Sequence, residues 1–266
     1  MNIRILHWKD DKAATNISNN LKEIGLGNIC VQSPKSLLFT TQKELEGFVK
    51  DCNKIDYFIV ASTHRSETAK LALTVHPTGN FGKSDLGGNL GELSKTWPAG
   101  MKIGLQYYAK HSPEGFDITM EATHHGPTDW EKPLMFIEIG STEKEWIRKD
   151  LGILAANAIK EIIEKAPKAK FENYAGFGGI HYCPSFNKIQ IENEKAAIGH
   201  IVPKYAEDAI TEDIVKQALE KSFAKKAIID WKGIKSVARE KVVAALENLG
   251  IEYFKTGNFE KINNLI

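Results

Sequence analysis

The chain is predicted to adopt an α/β fold, with a mostly parallel or mixed central sheet and helices on both of its faces. Two uninterrupted apolar runs, DYFIVAS at 56–62 and LMFIEIGS at 134–141, predict buried strands, because a parallel strand that is covered on both faces needs apolar side chains throughout. Two T-x-x-E capping boxes, at 41–44 and 142–145, mark the starts of helices next to these strands. Strands and helices that alternate in this way are typical of a parallel sheet.

The remaining elements continue this alternation along the chain. The predicted order is a strand at 3–8, a helix near 17–24, a helix from 42, the strand at 57–62, the strand at 134–141, a helix ending near 166, a strand at 227–231, a helix ending at 249 and a strand at 251–254. Apolar residues recur in the helices at three- and four-residue spacing, which gives each helix one face for the core. The sequence has no internal repeat and no linker-like stretch, which predicts a single α/β domain over residues 1–266.

The composition is that of a globular protein without an unusual charge balance. Hydrophobic residues make up 42% and charged residues 26%, and the formal net charge is +1, so the whole molecule lacks the basic excess of a strong nucleic-acid binder. Three cysteines without a C-x-x-C spacing argue against a disulfide framework and a cysteine-rich zinc site. No apolar run approaches about 20 residues, and the start has no signal-peptide pattern. We therefore expect a cytoplasmic monomer without membrane contact.

Two histidine motifs lie in predicted loops. STHRSE at 62–67 contains His64 and Arg65 directly after the first apolar run, and ATHHGP at 122–127 contains adjacent histidines beside Gly126 and Pro127. Either motif alone would suit an ordinary surface loop. Ligands of open α/β sheets bind at the carboxyl ends of the strands, so these positions are also where a site is expected.

Two further motifs combine histidine with residues that restrict or free the backbone. GFGGIHYCPSF at 176–186 places Gly178 and Gly179 just before His181, and GHIVPKYA at 199–206 has a histidine near a proline. Glycines allow close approach of the backbone, and their N–H groups could stabilise an oxyanion. A tight turn followed by a half-buried strand would explain the glycine motif without any function.

Taken together, these motifs predict a hydrolytic site built from histidines. Glu138 lies inside the second apolar run, and a carboxylate in such a position needs a histidine, an arginine or a metal as partner. Neutral imidazoles with one carboxylate form a ligand set that suits zinc. The same groups could work without metal, as a general base with an oxyanion hole.

A series of seven motifs carries a resemblance to a known family. In chain order they are STHRSE, GNLGEL, ATHHGPT, FIEIGST, GFGGIHYCPSF, GHIVPKYA and DWKGIKS. The series resembles the D-aminoacyl-tRNA deacylase family of archaeal and plant type, over nearly the whole chain. The resemblance implies a hydrolase that cleaves the ester between a D-amino acid and the 3′ end of tRNA. It also implies zinc dependence and a fold similar to phosphorylases and peptidyl-tRNA hydrolases.

The motifs that carry the resemblance also supply the candidate site residues. The catalytic candidates are His64, Arg65, His124, His125 and His181. The candidate zinc ligands are His64, His124, Glu138 and His181. Asn89, Gly178 and Gly179 are expected to bind the substrate. A pocket with glycine-rich walls would read chirality from the main chain, and it would then also admit glycine, including glycyl-tRNA mischarged on tRNA(Ala).

A basic stretch between Lys221 and Lys241 is the candidate contact with the tRNA backbone. Lys225 and Lys226 are its adjacent pair, although a solvated helical face would explain the same pattern. The partner is expected to be the tRNA acceptor end that carries a D-amino acid. Alternatives are a zinc-dependent amidase or peptidase, a nucleoside phosphorylase of similar fold, or a non-catalytic protein that binds RNA ends. No RNP-type run supports pure RNA binding.

Overall fold

The computed structural model describes residues 1–262, which form two sheets surrounded by helices. The strands are β1 (Ile3–Trp8), β2 (Cys30–Ser33), β3 (Tyr57–Thr63), β4 (Ala72–His76), β5 (Asp117–Met120), β6 (Leu134–Ile139), β7 (Glu172–Phe177), β8 (Ala196–Val202), β9 (Lys226–Ile229) and β10 (Glu252–Lys255). The helices are α1 (Lys12–Glu23), α2 (Gln42–Phe48), α3 (Pro98–His111), α4 (Glu143–Trp146), α5 (Lys149–Lys165), α6 (Pro184–Glu192), α7 (Glu212–Lys221), α8 (Ser236–Asn248) and α9 (Thr256–Ile262).

The first sheet has six strands in the order β2-β1-β3-β6-β4-β5, and the second has four in the order β10-β9-β7-β8. All pairs are parallel except β4 with β6. The predicted α/β class with a mostly parallel sheet is confirmed. The strands predicted late in the chain form a sheet of their own instead of extending a single central sheet. The helix predicted from 142 to about 166 is divided into α4 and α5.

The two faces of the first sheet are covered differently. One face packs on α1, α3 and α5 through residues such as Ile59, Leu73 and Ile137. On the other face, Val60 and Phe136 belong to a smaller apolar cluster. Side chains point alternately to the two faces of a strand. Ser62 and Glu138, two positions further along β3 and β6, therefore lie on this second face. The smaller apolar cluster therefore gives way to a polar region on the same face.

The loop after β5 joins the two sheets. Ala122 N donates to His181 O at 2.8 Å, and Thr123 N donates to Ile201 O at 3.1 Å. These bonds hold the segment after β7 against the first sheet, and His181 is carried with it. Within residues 1–262, no helix has the length and apolar character needed to cross a membrane.

Candidate active site

Two buried carboxylates lie at the bottom of the polar region. Glu138, in β6, is 4% exposed and accepts a hydrogen bond from Thr74 Oγ1 at 3.1 Å. Glu121 follows β5 directly and is fully buried. An ionised carboxylate in such a place needs partners that offer hydrogen bonds or positive charge. The surrounding histidines are those partners.

His64, which follows β3, contacts both carboxylates. Its Nδ1 lies 2.8 Å from Glu121 Oε1 and 3.6 Å from Glu138 Oε2. Its Nε2 lies 2.8 Å from the hydroxyl of Tyr182. Burial lowers the pKa of His64, but the two carboxylates beside it outweigh burial and raise the pKa to about 11. Without a metal, His64 is therefore protonated and keeps Glu121 and Glu138 in place.

Three further histidines converge beside Glu138. His76 ends β4, and His124 and His125 lie in the loop after β5. In each ring, Nδ1 faces a main-chain carbonyl oxygen. The distance is 3.2 Å from His76 to Pro77 O, 2.8 Å from His124 to Ala122 O and 2.6 Å from His125 to Gly126 O. A carbonyl only accepts, so each Nδ1 carries the proton and each Nε2 offers a lone pair. One ligand atom from each ring lies within 4.8 Å of those from the other two.

The electrostatics of these rings are compatible with a cation among them. Burial lowers the pKa of His124 and lowers that of His125 to about 4, so both rings are neutral near pH 7. Burial also lowers the pKa of His76, but the charge of Glu138 outweighs it and raises the pKa. His76 Nε2 is buried 3.5 Å from Glu138 Oε1 and has no hydrogen-bond partner. A divalent cation there would replace the proton that Glu138 attracts.

His181 closes the cluster on its open side. Its Nε2 lies 3.0 Å from Glu121 Oε2, and its Nδ1 lies 3.0 Å from the hydroxyl of Tyr205. The side chain is 40% exposed, whereas that of Glu121 is 1% exposed. With His124, these two residues form a second group that could hold a metal, and His64, Glu121 and Glu138 form a third. All three groups offer nitrogen and oxygen ligands of the kind that zinc accepts.

The structure brings together most of the residues expected from the sequence. His64, His124, His125, Glu138 and His181 all belong to the cluster. Sequence reasoning missed His76 and Glu121. Both stand at the end of short strands, β4 and β5, which were not recognised. His64 was identified as a polar residue directly after a run of strand-forming residues. The same pattern is present at His76 and Glu121.

Other expected residues do not meet the cluster in the way the sequence suggested. The amides of Gly178 and Gly179 donate to Val202 O and Gly233 O, so these N–H groups are not free for an oxyanion. Asn89 is exposed, and its side chain donates to Glu92 Oε2 at 2.7 Å. Arg65 is also exposed and lies over the Trp146 ring, 5.1 Å from its centre.

The lysine pair lies at the far end of the second sheet. Lys226 begins β9, whereas His181 follows the other end of the neighbouring strand β7. Lys226 forms ion pairs with Glu172 at 2.9 Å and Glu252 at 3.5 Å. Lys225 precedes it and is exposed. The structure therefore does not bring this pair to the histidine cluster.

The chain matches a family model described as D-aminoacyl-tRNA deacylase over residues 52–254. A protein of that name from Methanocaldococcus jannaschii is 34% identical over 95% of this chain and 99% of its own length. One from Ignicoccus hospitalis is 38% identical over 95% of this chain and 98% of its own. A crystal structure described as a conserved protein of unknown function superposes with a TM-score of 0.88, at 29% identity over 98% of this chain and 97% of that one. The chain belongs to the D-aminoacyl-tRNA deacylase family.

Proposed function

We propose that this protein hydrolyses the ester bond between a D-amino acid and the 3′ end of a tRNA, and releases both. The observation that carries the proposal is the convergence of His76, His124 and His125 beside two buried carboxylates. An aminoacyl ester is already activated, so its hydrolysis requires a positioned water, a base and a group that stabilises charge on the carbonyl oxygen. Relatives named D-aminoacyl-tRNA deacylase favour this ester as the substrate.

Zinc is the cofactor that we propose for the cluster. His76, His124 and His125 would hold it, and Glu121 could provide a further ligand through the group that it forms with His124 and His181. The unpartnered Nε2 of His76 supports this choice, as does the neutral state of His124 and His125. When bound, zinc lowers the pKa of a coordinated water to about 7. The ligand set expected from the sequence shares His124 and His181 with these groups.

The protein's own residues would orient the reactants and move the proton. Because the carboxylate of Glu121 accepts the Nε2–H of His181, the lone pair of His181 is on Nδ1, which accepts from the hydroxyl of Tyr205. We propose Nδ1 as the atom that takes a proton from the attacking water and returns it to the 3′ oxygen. Arg65 remains our candidate for stabilising the charge on the carbonyl oxygen, since it lines the cavity that contains His64 and His181.

Selection for the D configuration would come from the walls around the ester. A rigid pocket rejects the enantiomer whose side chain points into a wall. Glycine has no side chain to clash, so glycyl-tRNA mischarged on tRNA(Ala) is a second substrate that this mode of selection would accept.

The test is hydrolysis of tRNA charged with a D-amino acid, with the L-aminoacyl form of the same tRNA as control. We expect release of the D-amino acid and its loss after exhaustive chelation, with recovery when zinc is returned. Full activity in metal-free protein would show that the histidines act in acid–base catalysis and do not bind a required metal. Cleavage of amides, or phosphorolysis of nucleosides, without ester hydrolysis would favour the alternative enzymes, and binding of tRNA without turnover would favour the RNA-end binder.

A further inference from the structure

Two cavities border the histidine cluster. They share Leu86, His124 and His125 as lining residues. A substrate that lies across this shared wall would present one part to each cavity and the bond between those parts to the histidines. The chemistry of the two linings therefore indicates which part of an aminoacyl-tRNA end enters which cavity.

The first cavity is mainly apolar and measures about 630 Å³. Its walls include the rings of Phe81 and Tyr205, and Gly79 and Gly82 contribute backbone without side chains. Phe81 is half-buried, and Tyr205 is 57% exposed. Flat aromatic side chains in an accessible cleft are the usual means of holding an unpaired base, because each base has an apolar face that stacks.

The second cavity is similar in size, about 650 Å³, but is rich in carboxylates. Its charged lining residues other than histidine are Asp10, Asp11, Glu121, Glu138, Glu143, Lys12 and Arg65. Lys12 is paired with Glu143, and Arg65 lies over Trp146. His64 contacts Glu121 and Glu138. Among the described residues, Asp10 and Asp11 of this lining form no ion pair. The first cavity, by comparison, contains Lys83, Asp85 and Asp208 as its charged residues besides histidine. An ammonium group is therefore better accommodated in the second cavity than in the first.

Building on the proposed function, we propose that the 3′-terminal adenosine of the tRNA occupies the first cavity, against Phe81 and Tyr205, and that the aminoacyl group enters the second. The adenine ring is neutral and flat, which matches the apolar cleft. The α-ammonium group of the amino acid is positive, which matches the carboxylate-rich lining. The ester then lies at the shared wall, beside His124 and His125.

Tyr205 connects this nucleoside site to the chemistry. Its hydroxyl faces Nδ1 of His181 at 3.0 Å while its ring lines the first cavity. A base stacked on the ring would fix the position of the hydroxyl and, through it, the orientation of the imidazole. Tyr205 is in this sense a positioning residue, and the aromatic face of Phe81 is the part of the site that can be changed without touching the histidines.

The experiment measures binding of 5′-AMP to the full-length protein by calorimetry, with ribose 5-phosphate as a ligand of equal phosphate charge that lacks the base. Phe81→Leu keeps an apolar side chain and removes the stacking face. Trp8→Leu is the matched control, because Trp8 is a half-buried aromatic residue that lines only the second cavity of the two. The unfolding midpoint of each variant shows whether the fold is retained.

We expect 5′-AMP to bind more tightly than ribose 5-phosphate, and Phe81→Leu to weaken 5′-AMP about 10-fold, since base stacking on one aromatic ring contributes roughly 5- to 100-fold in affinity. Trp8→Leu should leave 5′-AMP binding unchanged. With charged tRNA, Phe81→Leu should raise KM by a similar factor. Loss of 5′-AMP binding in Trp8→Leu but not in Phe81→Leu would reverse the assignment, and no preference for 5′-AMP over ribose 5-phosphate would overturn it. These binding results stand apart from the proposed function, which fails only if wild-type protein does not hydrolyse the charged tRNA.

Discussion

At the scale of single residues, the site depends on the tautomers of three histidines. Each of His76, His124 and His125 has its Nδ1 against a main-chain oxygen. A side-chain acceptor could move away, but a main-chain carbonyl is held by the fold. The three lone pairs are therefore oriented before any ligand arrives, which lowers the cost of binding a cation.

We expect His76→Ala to lose bound metal and activity together. His76 is the one fully buried residue of the three-histidine group, and its removal leaves Glu138 without a partner that it now contacts at 3.5 Å. Zinc affinity should fall by at least about 10-fold, as measured by metal content after dialysis against a zinc buffer. The control is His111→Ala, on an exposed position at the end of α3. Wild-type zinc content in His76→Ala would remove His76 from the ligand set.

Gly140 tests the packing behind His64. A Cβ at this position would lie 2.5 Å from Cδ2 and 2.9 Å from Cβ of His64, and His64 cannot turn aside without leaving Glu121 and Glu138. Gly140→Ala should therefore destabilise the protein by about 1–3 kcal/mol and lower kcat, as followed by urea unfolding and turnover. Gly47→Ala is the control, because a Cβ in α2 at that position meets nothing within 4 Å. Equal stability of Gly140→Ala and wild type would show that His64 is free to move.

At the scale of elements, strand β9 separates two groups of lysines. Lys225 and Lys226 lie at its start, whereas Lys232 follows its end, in the turn beside Gly233, whose carbonyl accepts from Gly179. Lys232 is exposed on the same end of the second sheet as the chain that leads to His181. The two ends of one strand thus offer alternative tracks for the tRNA backbone.

The sequence predicts that replacing Lys225 and Lys226 by Ala raises KM, flattens its salt dependence and leaves kcat nearly intact, because phosphate contacts add salt-sensitive affinity and little chemistry. The structure adds Lys232→Ala as a comparison, with the same expected effects. We expect the larger change for Lys232, because Lys226 is already paired with two glutamates. KM and kcat at several salt concentrations provide the measurement. An unchanged salt slope in both variants would place the backbone of the tRNA elsewhere.

At the scale of the whole molecule, His200 joins the second sheet to loops of the first. It is a fully buried residue of β8. Its Nε2–H donates to Ser94 O at 2.7 Å, and its Nδ1 accepts from Thr123 Oγ1 at 3.0 Å. Both nitrogens are used within the fold, so this histidine of the GHIVPKYA motif is structural and not part of the cluster.

Stability should fall in acid partly because of His200. Burial lowers its pKa to about 4 from 6.5, so the folded protein binds this proton only near pH 4, whereas the unfolded chain binds it below about pH 6.5. This contribution to stability is complete above pH 6.5 and is lost as the pH falls towards 4. The loss amounts to about 2 kcal/mol at pH 5. The free energy of unfolding in urea should decrease less between pH 8 and pH 5 for His200→Gln than for wild type. Identical pH slopes would contradict the buried neutral state.

The sequence alone was sufficient for several of the local elements. The apolar runs predicted β3 and β6, and the capping boxes at Thr41 and Thr142 are both formed in the structure. These features depend on neighbouring residues. A continuous apolar run and the hydrogen bonds of a capping box both involve residues within a few positions of one another. The histidine motifs were also recognisable, because each follows or approaches a strand end.

Only the tertiary structure decided which of these residues meet. The antiparallel pairing of β4 with β6 places Thr74 opposite Glu138, with His76 two residues along the same face, and the bonds from the loop after β5 to the second sheet bring Glu121 to His181. Strand direction and partner are set by contacts between distant segments, which local apolar patterns do not encode. For the same reason, the sequence could not show that the amides of Gly178 and Gly179 already donate hydrogen bonds within the fold. It did predict that His181, close to them in the chain, belongs to the site.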